Sequence, residues 1–394
     1  MAFSIREAFY WLQDVVEYVH VLTEREVLRR SNRGVDYTAD EYKNQVRRVV
    51  SRIHPNRMQL KLAEIHTETI SAKTFRFVRL DGPIPPFRPG QYVNLFVEVD
   101  GVQTSRPYSI SSIPEDETID LTVQEKPGGF VSTYLLRDLQ PGDELESTGP
   151  SGRFYHEPLM DGTKLVFLAG GSGITPFRSI IRFALHRELP LEMHLLYGSR
   201  LAGEVIYHDE LQELADSNEN FQFSLVISEP ADDYDGLTGF LDGDLIRKQV
   251  GNVEDKTFFL CGPNEMYDFC LEALQGIGVP QHKIHREVYG PPADVTLEPG
   301  WPPELAGDMV FEIDVDRMKS IRAPAGEPLM NSMERHGIVV PARCRSGTCG
   351  ACRIKVISGK VYMPPSVGLR ESDEDHGYTH ACVCYPLENL EIRL

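Results

Sequence analysis

The chain has 394 residues, too many for one ordinary core, and at about 100–200 residues per domain it predicts several domains. Its 41% hydrophobic and 25% charged residues are those of a globular protein, and a net charge of −19 argues against nucleic acid, whose phosphates call for basic stripes. The charge is uneven: residues 1–57 carry +2 (10 basic, 8 acidic), residues 309–394 carry zero (11 of each), and the middle therefore −21, which serves solubility or a basic partner surface.

No apolar run reaches the roughly 18 residues of a membrane span; the nearest, residues 8–22, is broken by Gln13, Asp14, Glu17 and His20. The start of the chain lacks the basic, apolar and small-residue segments of a signal peptide, so a cytoplasmic location is expected. In that compartment the seven cysteines read as metal ligands or free thiols rather than a disulfide framework.

In chain order, residues 3–30 and 39–53 predict two amphipathic helices, with Phe9, Leu12, Val16, Val19 and Leu22 on one face of the first. Asn32, Arg33 and Gly34 separate them and Pro55 closes the segment. Such stripes are most often packing surfaces and less often docking faces. Short runs at 60–65, 73–80, 92–99, 119–123 and 143–147, separated by Pro and Gly turns, then predict an antiparallel sheet or barrel. From residue 164 apolar strands at 165–170, 193–198, 223–228 and 257–262 alternate with helices at 177–187, 209–214 and 265–274, which predicts a parallel, doubly wound sheet. Five prolines in 291–308 mark a linker, and an alternating strand at 310–315 opens the last module. The divisions are thus 1–57, 58–157, 158–290, 291–308 and 309–394.

The last module carries the most specific motif. Cys344, Cys349 and Cys352 are spaced C-x4-C-x2-C, and Cys382 follows after 29 residues, the plant-type [2Fe-2S] arrangement. A structural zinc site would show two C-x2-C pairs, whereas the second group here is Cys382-Val383-Cys384. Cys384 reads as a spare buried thiol beside the fourth ligand.

Arg106, Pro107, Tyr108 and Ser109 offer a guanidinium for a phosphate, a ring to stack on a flavin and a hydroxyl for its hydride-accepting edge. Gly128 and Gly129 precede Ser132 at an expected helix start, where free amides attract phosphate, although such a pair is commonly just a turn. Residues 170–176, GGSGITP, form a glycine-rich strand-to-helix turn of the kind that admits a dinucleotide, without being a GxGxxG fingerprint. Residues 261–266, CGPNEM, put Cys261 at the carboxyl edge of the sheet, where ligands bind in such folds.

This succession of motifs over about residues 58–394 resembles the ferredoxin-NADP reductase superfamily, and the C-terminal cluster module is similar to that of oxygenase reductase components. The resemblance implies an antiparallel flavin-binding β-barrel, an α/β parallel-sheet nicotinamide domain and a C-terminal β-grasp ferredoxin domain, preceded by the N-terminal helical extension that the periodicity predicts outside it. It implies that Arg106, Pro107, Tyr108 and Ser109 hold the flavin, that Gly129, Val131 and Ser132 bind its phosphates, and that Gly171, Thr175, Cys261, Gly262 and Pro263 receive the nicotinamide dinucleotide. Glu287 and Tyr289 become candidates for the flavin edge, with Ser109, Cys261 and Glu287 as the catalytic set. Cys344, Cys349, Cys352 and Cys382 hold iron.

FAD is favoured over FMN, and NADH over NADPH. Arg200 is placed to grip a 2′-phosphate or, equally, to be solvated or ion-paired. The expected reaction is hydride transfer from nicotinamide C4 to flavin N5, with electrons then leaving singly through the cluster and a linker long enough for the cluster domain to face flavin and acceptor in turn. The expected partner is a terminal oxygenase; the alternatives are another metalloenzyme (a hybrid-cluster or corrinoid protein) and a redox-sensing interaction protein.

Overall fold

The computed structural model describes residues 40–53, 55–365 and 367–394; the helix expected over 3–30 lies outside them. Residues 55–394 form one compact unit, and the helix Asp40–Ile53 belongs to another. That helix matches the expected second one, and Val46, Val49 and Val50, spaced i, i+3, i+4, form an exposed apolar stripe along it.

Six antiparallel strands make the first sheet: β1 Met58–Thr67, β2 Ala72–Arg79, β3 Tyr92–Val99, β4 Val102–Ser109, β5 Ile119–Gln124 and β6 Glu144–Ser147, in the order β4-β3-β6-β1-β2-β5. Period-2 alternation turns Leu60, Leu62, Phe75, Phe77, Val93 and Leu95 into one core. A bridge between Ile110 and Leu121 ties the two end strands and closes the sheet into a barrel. The β3–β4 hairpin turns at Asp100 and Gly101, both at positive φ (50° and 77°), the two-residue turn that matches strand twist. It sets the register that runs residues 106–109 along the free edge of β4.

The second sheet is fully parallel: β7 Lys164–Gly170, β8 Glu192–Ser199, β9 Phe221–Ile227, β10 Leu237–Thr238, β11 Thr257–Cys261 and β12 Ile284–Glu287, in the order β10-β9-β8-β7-β11-β12. Helices cover both faces, so β7 and β11 are apolar almost throughout rather than alternating. The chain winds outward from β7 in one direction, then resumes at β11 on its other side. The switch point therefore lies between the carboxyl ends of β7 and β11, where an open α/β sheet leaves a crevice.

The third module contains β13 Val310–Val315, β14 Lys319–Pro324, β15 Arg353–Ser358, β16 Val361–Tyr362, β17 Tyr378–His380, β18 Tyr385–Pro386 and β19 Leu390–Arg393. Five of these form a mixed sheet, β14-β13-β19-β15-β17, with the helix Leu329–Arg335 packed against it, a β-grasp. The proline-rich stretch before it is not bare chain. Val295 and Trp301 are buried with Tyr362 and Tyr385, and Tyr362 Oη donates to the Pro299 carbonyl at 2.9 Å. Its latter half is thereby fastened to the third module. Among the described residues no helix is long and apolar enough to cross a membrane.

Candidate active site

The three modules converge on one cavity of about 1140 Å³, more than the roughly 300–1000 Å³ of a site for one small ligand. Residues 106–109 of β4 line its barrel side and residues 128–132 the adjoining turn. Gly171, Thr175, Arg200 and residues 261–263 line the parallel-sheet side, and Tyr289 lies between. Apart from Glu287, every residue expected at the flavin or the nicotinamide thus borders a single space. The third module adds Asn331, Arg345 and Cys382 to its wall.

On the barrel side, Arg106 is nearly enclosed. Its Nη1 donates to Thr104 Oγ1 at 2.8 Å and to the Ser105 carbonyl at 2.7 Å, and burial, helped by the nearby Arg345, pulls its pKa down to about 10. A guanidinium so desolvated favours an anion beside it. The helix Phe130–Arg137 begins at Gly129 without a side-chain cap, leaving first-turn amides for a phosphate. A side chain at residue 129 has no room, since a Cβ would lie 2.3 Å from Ser132 Oγ and 2.8 Å from the Lys126 carbonyl. These donors, with the Tyr108 ring, fit a flavin dinucleotide.

Ser109 Oγ and Tyr289 Oη are 2.9 Å apart, joining the barrel to the chain beyond β12. Cys261 ends β11 beside Ala169 of β7 and Glu287 of β12, at the switch point. Burial raises its pKa, so it is a thiol that packs and not a thiolate nucleophile. Gly173 is needed because a Cβ there would sit 2.1 Å from the Cys261 carbonyl oxygen: the two strand ends touch. Arg200 is held by Glu204 at 3.1 Å and Glu229 at 3.6 Å.

Glu287 is not among the residues that line the cavity; it is half-buried on β12. Burial first, and then the neighbouring Cys344, push its carboxyl up to about 8 from an ordinary 4.5. The folded state then binds this proton more tightly than the unfolded one. Its contribution is fully present below pH 4.5 and is lost as pH rises to about 8. Melting temperature across pH 5–9 should therefore fall less steeply in Glu287→Gln than in the wild type, by a difference worth more than about 1 kcal/mol. Parallel curves would show that Glu287 ionises normally.

The cluster loop presents two cysteine pairs. Ser346 N and Cys349 N donate to Cys344 Sγ at 3.5 and 3.3 Å, and Ala351 N points at Cys349 Sγ at 3.5 Å. Cys352 and Cys382 Sγ are 3.2 Å apart. Contact with Cys349, assisted by these amides, pulls Cys344 toward the thiolate. Gly347 and Gly350, at φ 79° and 69°, let the backbone wrap in this way. Among the described residues no three His, Cys, Asp or Glu side chains gather for a single ion; two pairs are what a two-iron cluster requires. Cys384 is fully buried in the module core, away from the cavity wall, and burial raises its thiol to about 12.

The sequence did not announce the contact between barrel and parallel sheet. Tyr207, held at φ 61°, sends its hydroxyl into a buried group with Ser111, Thr74 and Thr122, and Arg178 lies 4.4 Å from its ring while pairing with Glu210 and Asp120. Ser172 N also donates to Gln124 of β5 at 3.1 Å. These contacts fix the width of the cleft between residues 106–109 and 261–263.

A flavin cavity continuous with a nicotinamide crevice and bordered by an iron–sulfur loop defines a flavin iron–sulfur reductase. Three family descriptions match in that order: an oxidoreductase FAD-binding domain over residues 59–156, an oxidoreductase NAD-binding domain over 167–272 and a 2Fe-2S iron-sulfur cluster binding domain over 313–387. The chain is 31% identical to the ferredoxin reductase component of 3-ketosteroid-9-alpha-monooxygenase from Mycobacterium tuberculosis, over 84% of this chain and 93% of that one. It is 29% identical to the glycine betaine monooxygenase reductase subunit of Pseudomonas aeruginosa, over 84% and 94%. The solved structure of phthalate dioxygenase reductase superposes with a TM-score of 0.65 at 21% identity, covering 86% of this chain and 98% of that one.

The chain belongs to the ferredoxin-NADP reductase superfamily, in its oxygenase-reductase branch with a C-terminal plant-type [2Fe-2S] domain. It is an NAD(P)H-dependent oxidoreductase with FAD and a [2Fe-2S] cluster as cofactors.

Proposed function

We propose that this chain supplies electrons to a separate terminal oxygenase and draws them from NADH in preference to NADPH. The observation that carries the electron path is the single cavity that runs from residues 106–109, past residues 261–263, to Cys382. When bound, the flavin accepts a hydride from the nicotinamide and the [2Fe-2S] cluster releases the electrons singly, which converts a two-electron donor into a one-electron supply.

The chain's own part is positioning. Arg106 and the amides of residues 130–132 would neutralise the flavin phosphates, and Tyr108 would supply a ring to stack on the flavin. Ser109, held by Tyr289, aims its hydroxyl at the reacting edge. Gly171 and Thr175 would receive the dinucleotide, and Cys261, a neutral thiol, would pack beside its nicotinamide end. Cys344, Cys349, Cys352 and Cys382 hold the two irons, and Cys382 faces the cavity.

The nucleotide preference rests on Arg200. Because Glu204 and Glu229 already engage it, a 2′-phosphate would have to displace them and then face both carboxylates. We expect a higher kcat/KM for NADH, and an increase of about threefold in kcat/KM for NADPH on Glu204→Gln, the size of one exposed ion pair. Equal use of both nucleotides by the wild type would contradict the assignment.

The partner reading is supported by two relatives of matching length whose names place them in monooxygenase systems. The test is to use the full chain as bait in anaerobic extract of its source cells. An oxygenase subunit should be retained that consumes oxygen only when the chain and NADH are both present. Retention of a hybrid-cluster or corrinoid protein with NADH-dependent turnover would contradict it.

A further inference from the structure

The third module meets the barrel through a buried polar junction centred on one hydroxyl. Thr104, on β4 two residues before Arg106, is 5% exposed. Its Oγ1 donates to Glu334 Oε2 at 2.8 Å and accepts from Arg345 Nη2 at 3.1 Å and from Arg106 Nη1 at 2.8 Å. A hydroxyl has one proton and two lone pairs, so these three partners saturate it. Two of them, Glu334 and Arg345, come from the ferredoxin module and pair with each other, with side chains 5% and 4% exposed. A second tie lies on the same barrel edge, where Asn94 Nδ2 donates to the Ala342 carbonyl at 2.8 Å.

The geometry selects one docked position. An ion pair taken out of water recovers more of its desolvation cost where its remaining polar groups are met, and here the barrel hydroxyl meets both members at once, although Arg345 Nε is left without a partner. A module displaced along the barrel would bury the pair against a surface without that donor and acceptor. The position so selected matters for the chemistry. Arg345 adjoins Cys344 in the cluster loop, and Cys382 of the same loop region lines the flavin cavity.

We propose that Thr104, Glu334 and Arg345 form a docking junction that positions the ferredoxin module for electron transfer from the flavin. The proposal rests on the path described above, in which the two electrons released when one NADH is oxidised pass to the cluster one at a time and leave to an acceptor outside the chain. All three are positioning residues. They act on the distance between donor and acceptor, which governs electron transfer, and not on the nicotinamide step.

The test is anaerobic stopped-flow mixing of the holoprotein with NADH, following flavin and cluster absorbance as separate phases. In Glu334→Gln the flavin phase should be unchanged and the cluster phase slowed about tenfold, as expected when a charge-assisted hydrogen bond is lost from the docked state. Thr104→Val should slow the cluster phase similarly, and Thr104→Ser, which keeps the hydroxyl, should restore it. An unchanged cluster phase in Glu334→Gln overturns the junction. Joint loss of both phases also overturns it, because the pair would then serve the fold at large. A wild-type cluster that NADH never reduces would instead overturn the electron path, which separates the two failures.

Discussion

Cys382→Ser is expected to remove the visible absorbance of the cluster while the flavin band remains, and Cys384→Ser, two residues away, to leave both. Reduction of a one-electron acceptor through the cluster should fall more than about 100-fold in the first variant and stay near wild type in the second, since losing a ligand exceeds the 10–100-fold cost of disturbing its surroundings. The reason is placement. Cys382 Sγ lies 3.2 Å from Cys352 Sγ and borders the flavin cavity, whereas Cys384 is enclosed in the apolar core of the module. Absorbance spectra and iron content of the two purified proteins decide the matter. A cluster lost in Cys384→Ser and kept in Cys382→Ser would reassign the fourth ligand.

The second large effect concerns flavin retention. Arg106→Leu should weaken FAD binding about 100-fold, equivalent to about 3 kcal/mol, because it removes a buried cation whose hydrogen bonds to a phosphate are charge-assisted. Leucine fills much of the space, so the barrel core built on Phe75, Phe77 and Leu95 should be untouched. Equilibrium dialysis of the apoprotein against FAD, alongside a circular dichroism melt, separates affinity from folding. An affinity equal to wild type would mean that Arg106 serves only the network around Thr104.

The sequence makes long-period features legible and pairings across modules illegible. Alternation in residues 60–65 and 73–80, and the apolar strand at 165–170, follow from one-sided and two-sided burial respectively, and each strand lies where expected. The cavity residues were readable because glycines, the tyrosine and the cysteines sit at strand ends in a fixed succession. Short edge elements were not. β10 has two residues and β12 four, too few to show a period, and the helix Gly243–Val250 is announced only by its Asp242 cap, which accepts from Leu245 N. Thr104 and Glu334 are 230 residues apart, and Thr122 and Tyr207 are 85 apart, so nothing local in the chain marks either contact.

The linker packs more closely than its composition alone suggests. Five prolines in residues 291–308 suggest a spacer, yet Trp301 packs edge-on against Tyr362 with centroids 5.2 Å apart and donates through Nε1 to the Leu305 carbonyl at 3.0 Å. The stretch folds through a 3-10 turn at Val295–Leu297 and hydrogen-bonded turns from Glu298 to Trp301 and from Pro302 to Leu305, over which the aromatic residues pack. On the cavity side the module presents Cys382. Cys349, the one exposed cysteine of the loop, marks a separate edge.

The most direct test of the electron path is an anaerobic titration of the purified holoprotein with NADH, recording flavin and cluster absorbance together. NADH should bleach the flavin and reduce the cluster in step with it, with electron equivalents shared between the two centres. A flavin that NADH bleaches while the cluster stays oxidised, or a bound flavin that NADH does not bleach at all, would contradict it.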